Sequence, residues 1–219
     1  MNYAALVTAV QNYLENAFST ADINVFITQA EKRIYNMVQL PALRKNVTGT
    51  MTLNNPYLAC PTDFLSAYSM AVIAPVTGAY TYLLNKDVSF IREAYSVPAG
   101  TGTPKHYALF GPRSDLPTEL SFILGPTPDA NYGVELHYFF YPESITTIAG
   151  GQTWLGDNYD PVLLYGTLVE AYTFMKGETD LLTLYNTKFS EALSQLKRLG
   201  DGLEKQDAYR SGQARTQVT

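Results

Sequence analysis

Amphipathic helical stretches stand at both ends of the chain, and none of them can bury its apolar stripe alone. Near the N-terminus Tyr3, Leu6, Val7, Val10 and Leu14 recur at helical spacing. After a break at Phe18-Ser19-Thr20 the spacing predicts a second helix, capped by Thr20 or Asp22. Its pattern directs Val25, Phe26, Ala30, Ile34, Met37 and Val38 inward, and Gln29, Glu31, Lys32 and Arg33 mostly outward. Pro41 ends it, because proline disfavours helical geometry in the residue before it. Late in the chain Asp160-Pro161 predicts a helix start, with Asp as cap and Pro at the first helical position. Asp180 is expected to cap a last helix whose face is Leu181, Leu184, Tyr185, Phe189, Leu193, Leu196 and Leu199. Gly200 and Gly202 then weaken it ahead of a polar tail. Most helical stability comes from packing an apolar face, so the helices of the two ends are expected to pack together.

The middle of the chain reads differently. From Arg44 the segment NVTGTMTL alternates loosely with β-branched residues, NNP makes a turn, and FLSAYSMAVIA is a longer apolar run. PVTGA reads as a hairpin loop, and NKDVSFIREAY as one short helix with Asn85 as cap. KHYALF, ELSFILG and GVELHYFFY read as strands; in the last, Val134, Leu136, Tyr138 and Phe140 share one face and Glu135, His137, Phe139 and Tyr141 the other. Aromatics on both faces predict a strand covered on both sides. ITTIAGGQTWLGDN reads as a loop. The expected class is therefore α+β: a helical bundle formed by the N- and C-terminal helices, an inserted β-rich domain and an extended C-terminal arm. The expected divisions are 1–43 for the first part of the bundle, 44–150 for the inserted domain with its short helix, 151–200 for the second part, and 201–219 for the arm.

Hydrophobic residues make up 46% of the chain and charged residues only 16%, which leaves surface that is uncharged yet adhesive. The seventeen tyrosines suit interfaces, since each pairs a large ring with a hydroxyl, although strands use aromatics too and strand packing is the expected place for most of them. Net charge is −5 with no basic run, whereas nucleic-acid binders present clustered Lys and Arg. With a single cysteine, Cys60, an internal disulfide is impossible. No apolar run reaches membrane-spanning length and MNYAALVTAV lacks the marks of a signal peptide, so a soluble protein made in the cytoplasm is expected.

Chemistry-bearing motifs are scarce. GxSxG, GxxxxGK[ST], HExxH and CxxC do not occur. Cys60 could be a nucleophile only with His106 or His137, and its setting, LACPTDF, fits a small buried hydrophobe. Asp157, Asn158 and Asp160 hint at a calcium-like site but lack EF-hand spacing, and helix capping explains Asp160 more simply. Glu135 and Glu143 are the pair a glycosidase reading would need. Trp154, the only tryptophan, either pins its loop or anchors a neighbouring subunit. No catalytic residue, cofactor or metal ligand is assigned. The tail from Ala208 to Thr219 carries no stripe that its own core could bury; it reads either as a disordered end, the usual fate of polar termini, or as a docking segment, since Tyr209, Arg210 and Arg215 are good interface residues. Its twelve residues reach roughly 40 Å when extended.

RIYNMVQLPALRKNVTGTM, LLNKDVSFIREAY, FILGPTPDANYGVELHYFFYPES, TWLGDNYDPVLLYGTLVEAYTFMKGE and DAYRSGQ carry a resemblance over nearly the whole chain. They resemble the head-to-tail adaptor (connector) proteins of short-tailed bacteriophages, similar in kind to tail tubular protein A. The resemblance implies a structural virion protein at the head-tail junction, not an enzyme. It implies a ring of copies, usually twelve, beneath the portal protein, with DNA present only as channel contents during ejection and no membrane contact. Carried onto this sequence, Ala208, Tyr209, Arg210, Ser211, Gly212, Gln213 and Arg215 would bind the portal, and Trp154, His137, Phe139 and Tyr141 would meet a neighbour or the tail nozzle protein. The alternatives are a stopper or nozzle subunit and, in another class, a cell-wall or carbohydrate hydrolase.

Overall fold

The computed structural model describes residues 1–97, 100–113 and 116–203. In chain order the elements are α1 (Tyr3–Leu14), α2 (Thr20–Met37), β1 (Arg44–Met51), β2 (Tyr57–Ala59), β3 (Phe64–Ile73), β4 (Tyr80–Tyr82), β5 (Leu84–Asn85) and α3 (Val88–Ala94). There follow β6 (His106–Arg113), β7 (Leu116–Gly125), β8 (Tyr132–Phe140), α4 (Trp154–Asn158), α5 (Asp160–Phe174) and α6 (Thr179–Leu203). The chain is thus mixed α+β, with six helices and two sheets among the described residues. It divides into two compact units, Met1–Leu43 with Pro142–Thr219, and Arg44–Tyr141.

In the helical unit α5 is central. Its sequence, DPVLLYGTLVEAYTF, is apolar nearly all round, as a helix packed on several sides must be. It touches α1, α2, α4 and α6, so helices from the two ends of the chain do pack together. Of its neighbours, α1 buries Leu6, Val10 and Leu14, and α6 buries Tyr185, Phe189, Ala192, Leu196 and Gly200. Gly166 of α5 lets the helices approach closely: a Cβ there would lie 3.1 Å from the Phe189 ring and 3.2 Å from Ala30 Cβ.

Several local features differ from the sequence expectations. The cap of α2 is Ser19, whose hydroxyl oxygen accepts from the Asp22 N–H at 3.2 Å, rather than Thr20 or Asp22. Val25 and Met37 are exposed, and Glu31 is buried, because the inward stripe runs through Ile23, Phe26, Ile27, Ala30 and Ile34. On α6 Leu181, Leu184 and Leu199 face solvent, since the buried line passes through the small residues Ala192 and Gly200 instead. Gly200 does not end the helix, which runs on to Leu203; a Cβ at that position would meet Leu40 Cδ2 at 2.5 Å. Asp160 is the first residue of α5 rather than its cap, and Asp180 lies in the first turn of α6. The stretch read as a loop before Asp160 contains α4, capped by Thr153. Asp87, not Asn85, is the cap residue of α3.

The second unit is a pair of four-stranded sheets, ordered β1-β8-β3-β4 and β2-β7-β6-β5. One core lies between them. Met51, Met70, Val72, Leu136 and Tyr138 from the first sheet meet Tyr107, Phe122 and Leu124 from the second. The period of two sorts β7 cleanly: Phe122 and Leu124 enter this core, while Ile123 turns outward to meet Ile91 of α3. Aromatic edges lock the centre, with Phe122 T-shaped against Phe64 at 5.4 Å and Tyr107 at 5.6 Å. Among the described residues seven of sixteen tyrosines lie in strands, namely 57, 68, 80, 82, 107, 132 and 138, so most of these lie elsewhere. Helical ones such as Tyr172 and Tyr185 pack ring on ring at 5.6 Å.

Cys60 lies in the sandwich core, 5% exposed, and burial pushes its thiol up to about 12, with the Glu119 charge adding to it. At the rim Asp63 accepts from Lys45 Nζ at 2.7 Å and from the Tyr138 hydroxyl at 2.8 Å. Burial raises the Asp63 carboxyl, but these two partners outweigh it and leave it below its ordinary value. Burial and the Asp63 carboxylate push Tyr138 up to about 12. A raised folded pKa contributes stability that is complete below the unfolded value and disappears as pH climbs through the folded one. Tyr138 therefore costs stability between its ordinary value of 10.0 and about 12. Asp63, with the opposite sign, costs stability only as pH falls below its ordinary 3.8. In thermal unfolding the gap between wild type and Tyr138→Phe is expected to narrow from pH 10 to 12; a constant gap contradicts the assignment.

Candidate interaction surfaces

The outer face of β1-β8-β3 carries the densest group of functional side chains. The register sets Asn46 of β1 opposite His137 of β8, and His137 opposite Ser69 of β3. The Asn46 amide donates to Glu135 Oε1 at 2.7 Å and lies 3.2 Å from His137 Nε2. His137 Nδ1 is 3.1 Å from Ser69 Oγ, and Glu135 Oε1 is 4.0 Å from Nε2.

A serine, a histidine and a carboxylate in contact invite comparison with a hydrolytic triad. The proton positions argue the other way. Asn46 supplies two amide hydrogens, and the second is aimed at Nε2, which then acts as acceptor. The neutral tautomer that fits this contact carries its ring proton on Nδ1, directed at Ser69 Oγ. A nucleophilic serine must instead give its proton to the imidazole. The group ties three strands together across the sheet.

Beside it, Arg44 lies over the Tyr68 ring at 3.9 Å and the Phe139 ring at 5.2 Å. Phe139 is therefore covered, at 1% exposure, and supports this face from beneath rather than presenting itself. Tyr141 is 37% exposed, and its N–H donates to the Asp63 carbonyl. Trp154 is half-buried at the start of α4, where its carbonyl accepts from the Asn158 side chain at 2.8 Å. Ala208, Tyr209, Arg210, Ser211, Gly212, Gln213 and Arg215 lie outside the described residues.

The other candidates separate. Cys60 is inside the sandwich and His137 on the opposite face of β8, so they do not pair. His106 Nδ1 is 2.8 Å from the Tyr95 hydroxyl; burial lowers its pKa, as do the charges of Lys86 and Lys105. Glu135 and Glu143 belong to different compact units. Among the described residues no group of three His, Cys, Asp or Glu could hold a metal, and no helix is long and apolar enough to cross a membrane.

Two features are absent from the sequence expectations. Glu31 is 2% exposed, and its Oε1 accepts from the Ile145 N–H at 2.9 Å, which ties the segment after the β unit to α2. Burial raises its pKa against the pull of Ile145 and Ser144. Tyr80 and Tyr82 stand 54% and 62% exposed on β4; their alternation around Thr81 without a nearby charge was the signal to read.

This is a mixed α+β chain whose concentrations of functional groups are exposed faces and edges, as in a protein that works by association. The sequence model of the SU10 adaptor protein family matches residues 1–217, and the chain belongs to that family. Membership in this phage adaptor family supports a structural head-to-tail adaptor role, association with other phage head and tail proteins, and a place in the virion. A search of curated proteins matches none.

Proposed function

We propose that the chain is the ring subunit that links the portal protein to the tail nozzle protein and extends the DNA channel. It performs no reaction. Copies stand side by side, twelve in the family's usual ring, with the helical parts (1–43 and 151–200) as a bundle and the inserted domain (44–150) directed towards the tail. The arm, 201–219, reaches the portal after synthesis in the host cytoplasm. Trp154, His137, Phe139 and Tyr141 are the residues that meet a neighbour or the nozzle.

The observation that carries this reading is the extent of the family match, which runs to residue 217 and so takes in the polar tail. A tail without an apolar stripe to lay on its own core has its groove on another protein. Tyr209, Arg210 and Arg215 supply an aromatic anchor and two planar donors for carbonyls and carboxylates. One arm binds weakly; linked arms in a ring bind strongly through effective concentration. Changing Tyr209, Arg210 and Arg215 together to Ala is expected to leave thermal unfolding unchanged and to weaken portal attachment by roughly tenfold or more. A fall in melting temperature without loss of attachment would show that the arm packs on its own subunit.

A further inference from the structure

Among the described residues the sheet β1-β8-β3-β4 has two open edges. On β4 the aim of the backbone follows from its bonds. Ala74 N–H donates to the Ala79 carbonyl, and Leu83 N–H to the Met70 carbonyl, each at 2.9 Å. The register places Val72 opposite Thr81 between them. Bonded and unbonded pairs alternate in an antiparallel ladder, so residues 79, 81 and 83 turn their polar groups towards β3. Tyr80 and Tyr82 turn their N–H and C=O groups the other way, to the open side, and no backbone partner among the described residues meets them.

Proteins that stay single guard such an edge with charge, proline or a bulge. From Val76 to Asn85 there is neither a charge nor a proline. The opposite edge, β1, carries charge only at its first two residues, Arg44 and Lys45. Lys45 to Thr50 are all exposed, and no charge occurs from Asn46 to Leu53. Val47 is 37% exposed although its register partner Leu136 is buried in the core.

Strand directions alternate across the sheet, since β1-β8, β8-β3 and β3-β4 are all antiparallel. A following β1 laid beside β4 continues that alternation. Pairing β4 with another β4 closes a two-fold dimer and leaves both β1 edges bare, whereas β4 on β1 covers both edges in every copy of a ring. The side chains also match. Tyr82 lies across Ala71 from Glu135, and Glu135 is opposite Thr48, so the tyrosines share a face with Thr48 and Thr50. Aromatic and β-branched residues make favourable cross-strand pairs.

We infer that β4 of one copy pairs antiparallel with β1 of the next, so that the sheets join edge to edge around the assembly. This rests on the ring reading above. The test is disulfide cross-linking of rings assembled on purified portal and counted by electron microscopy. Tyr82→Cys is combined in turn with Asn46→Cys, Thr48→Cys or Thr50→Cys; Cys60 is buried and gives no background. Paired residues on adjacent strands lie within disulfide reach. The expected result is a ladder of cross-linked species rising past the dimer in at least one combination, and none in the single-cysteine variants. Rings without a ladder in all three combinations overturn the inference, as does dimer formation by Tyr82→Cys alone. Failure to form rings on the portal instead overturns the ring reading, and this inference with it.

Discussion

Phe122→Ala is expected to lower the stability of the β unit by about 3–5 kcal/mol. Phe122 is 0% exposed and sits where the two sheets meet, edge-on to Phe64 and Tyr107. Removing the ring loses its transfer free energy and leaves a cavity that strands on both sides, held by their ladders, cannot close. Its neighbours on β7 give an internal comparison. Ile123, on the other face of the same strand, contacts the smaller cluster under α3. Ile123→Val removes one methylene and is expected to cost about 0.5–1.5 kcal/mol. For a unit of this size the Phe122 change should lower the melting temperature by roughly 12 °C or more. Equal losses for the two variants in thermal unfolding followed by near-ultraviolet circular dichroism would contradict a shared inter-sheet core.

Gly166→Leu is the corresponding test of the helical unit. A Cβ at Gly166 already comes within 3.2 Å of Ala30 on α2 and 3.1 Å of Phe189 on α6. A full Leu side chain must push these helices from α5, and would disturb the Arg33 guanidinium that lies 4.9 Å over the Phe189 ring. Overpacking of this kind costs about 1–3 kcal/mol, and this position, closed on two sides, belongs at the upper end. Gly166→Ala separates packing from backbone effects. It gains about 0.8–1 kcal/mol of helix propensity, and its single methyl needs a shift of only a few tenths of an ångström, so a net change near zero is expected. Tolerance of Leu with unchanged thermal unfolding would mean that α2, α5 and α6 do not meet at this glycine.

The strands were the more legible part of the sequence, because the period of two in GVELHYFFY matches the packing: Val134, Leu136 and Tyr138 are all buried. Helix existence was legible too, but helix faces were less so. On α2 the buried stripe includes a glutamate, whose acceptor role depends on Ile145, 114 residues away. On α6 the stripe runs through Ala192 and Gly200, which carry little hydropathy, while exposed leucines flank it and imitate a core face. The surface group at His137 needed strand register, which no local pattern shows: Asn46 and Ser69 are 91 and 68 residues from it. Phe139 looked available because alternation put it outward, and Arg44 and Tyr68 cover it there. The composition of the β4 edge was readable at once, but its meaning required knowing which backbone groups point outward.

The measurement closest to the central claim is co-sedimentation with purified portal rings, comparing the full chain with one ending at Asp207. Stoichiometric binding by the full chain and loss of binding on truncation are expected. Binding that survives truncation would contradict docking through the arm, and absence of binding by either form would contradict the portal-linking role itself.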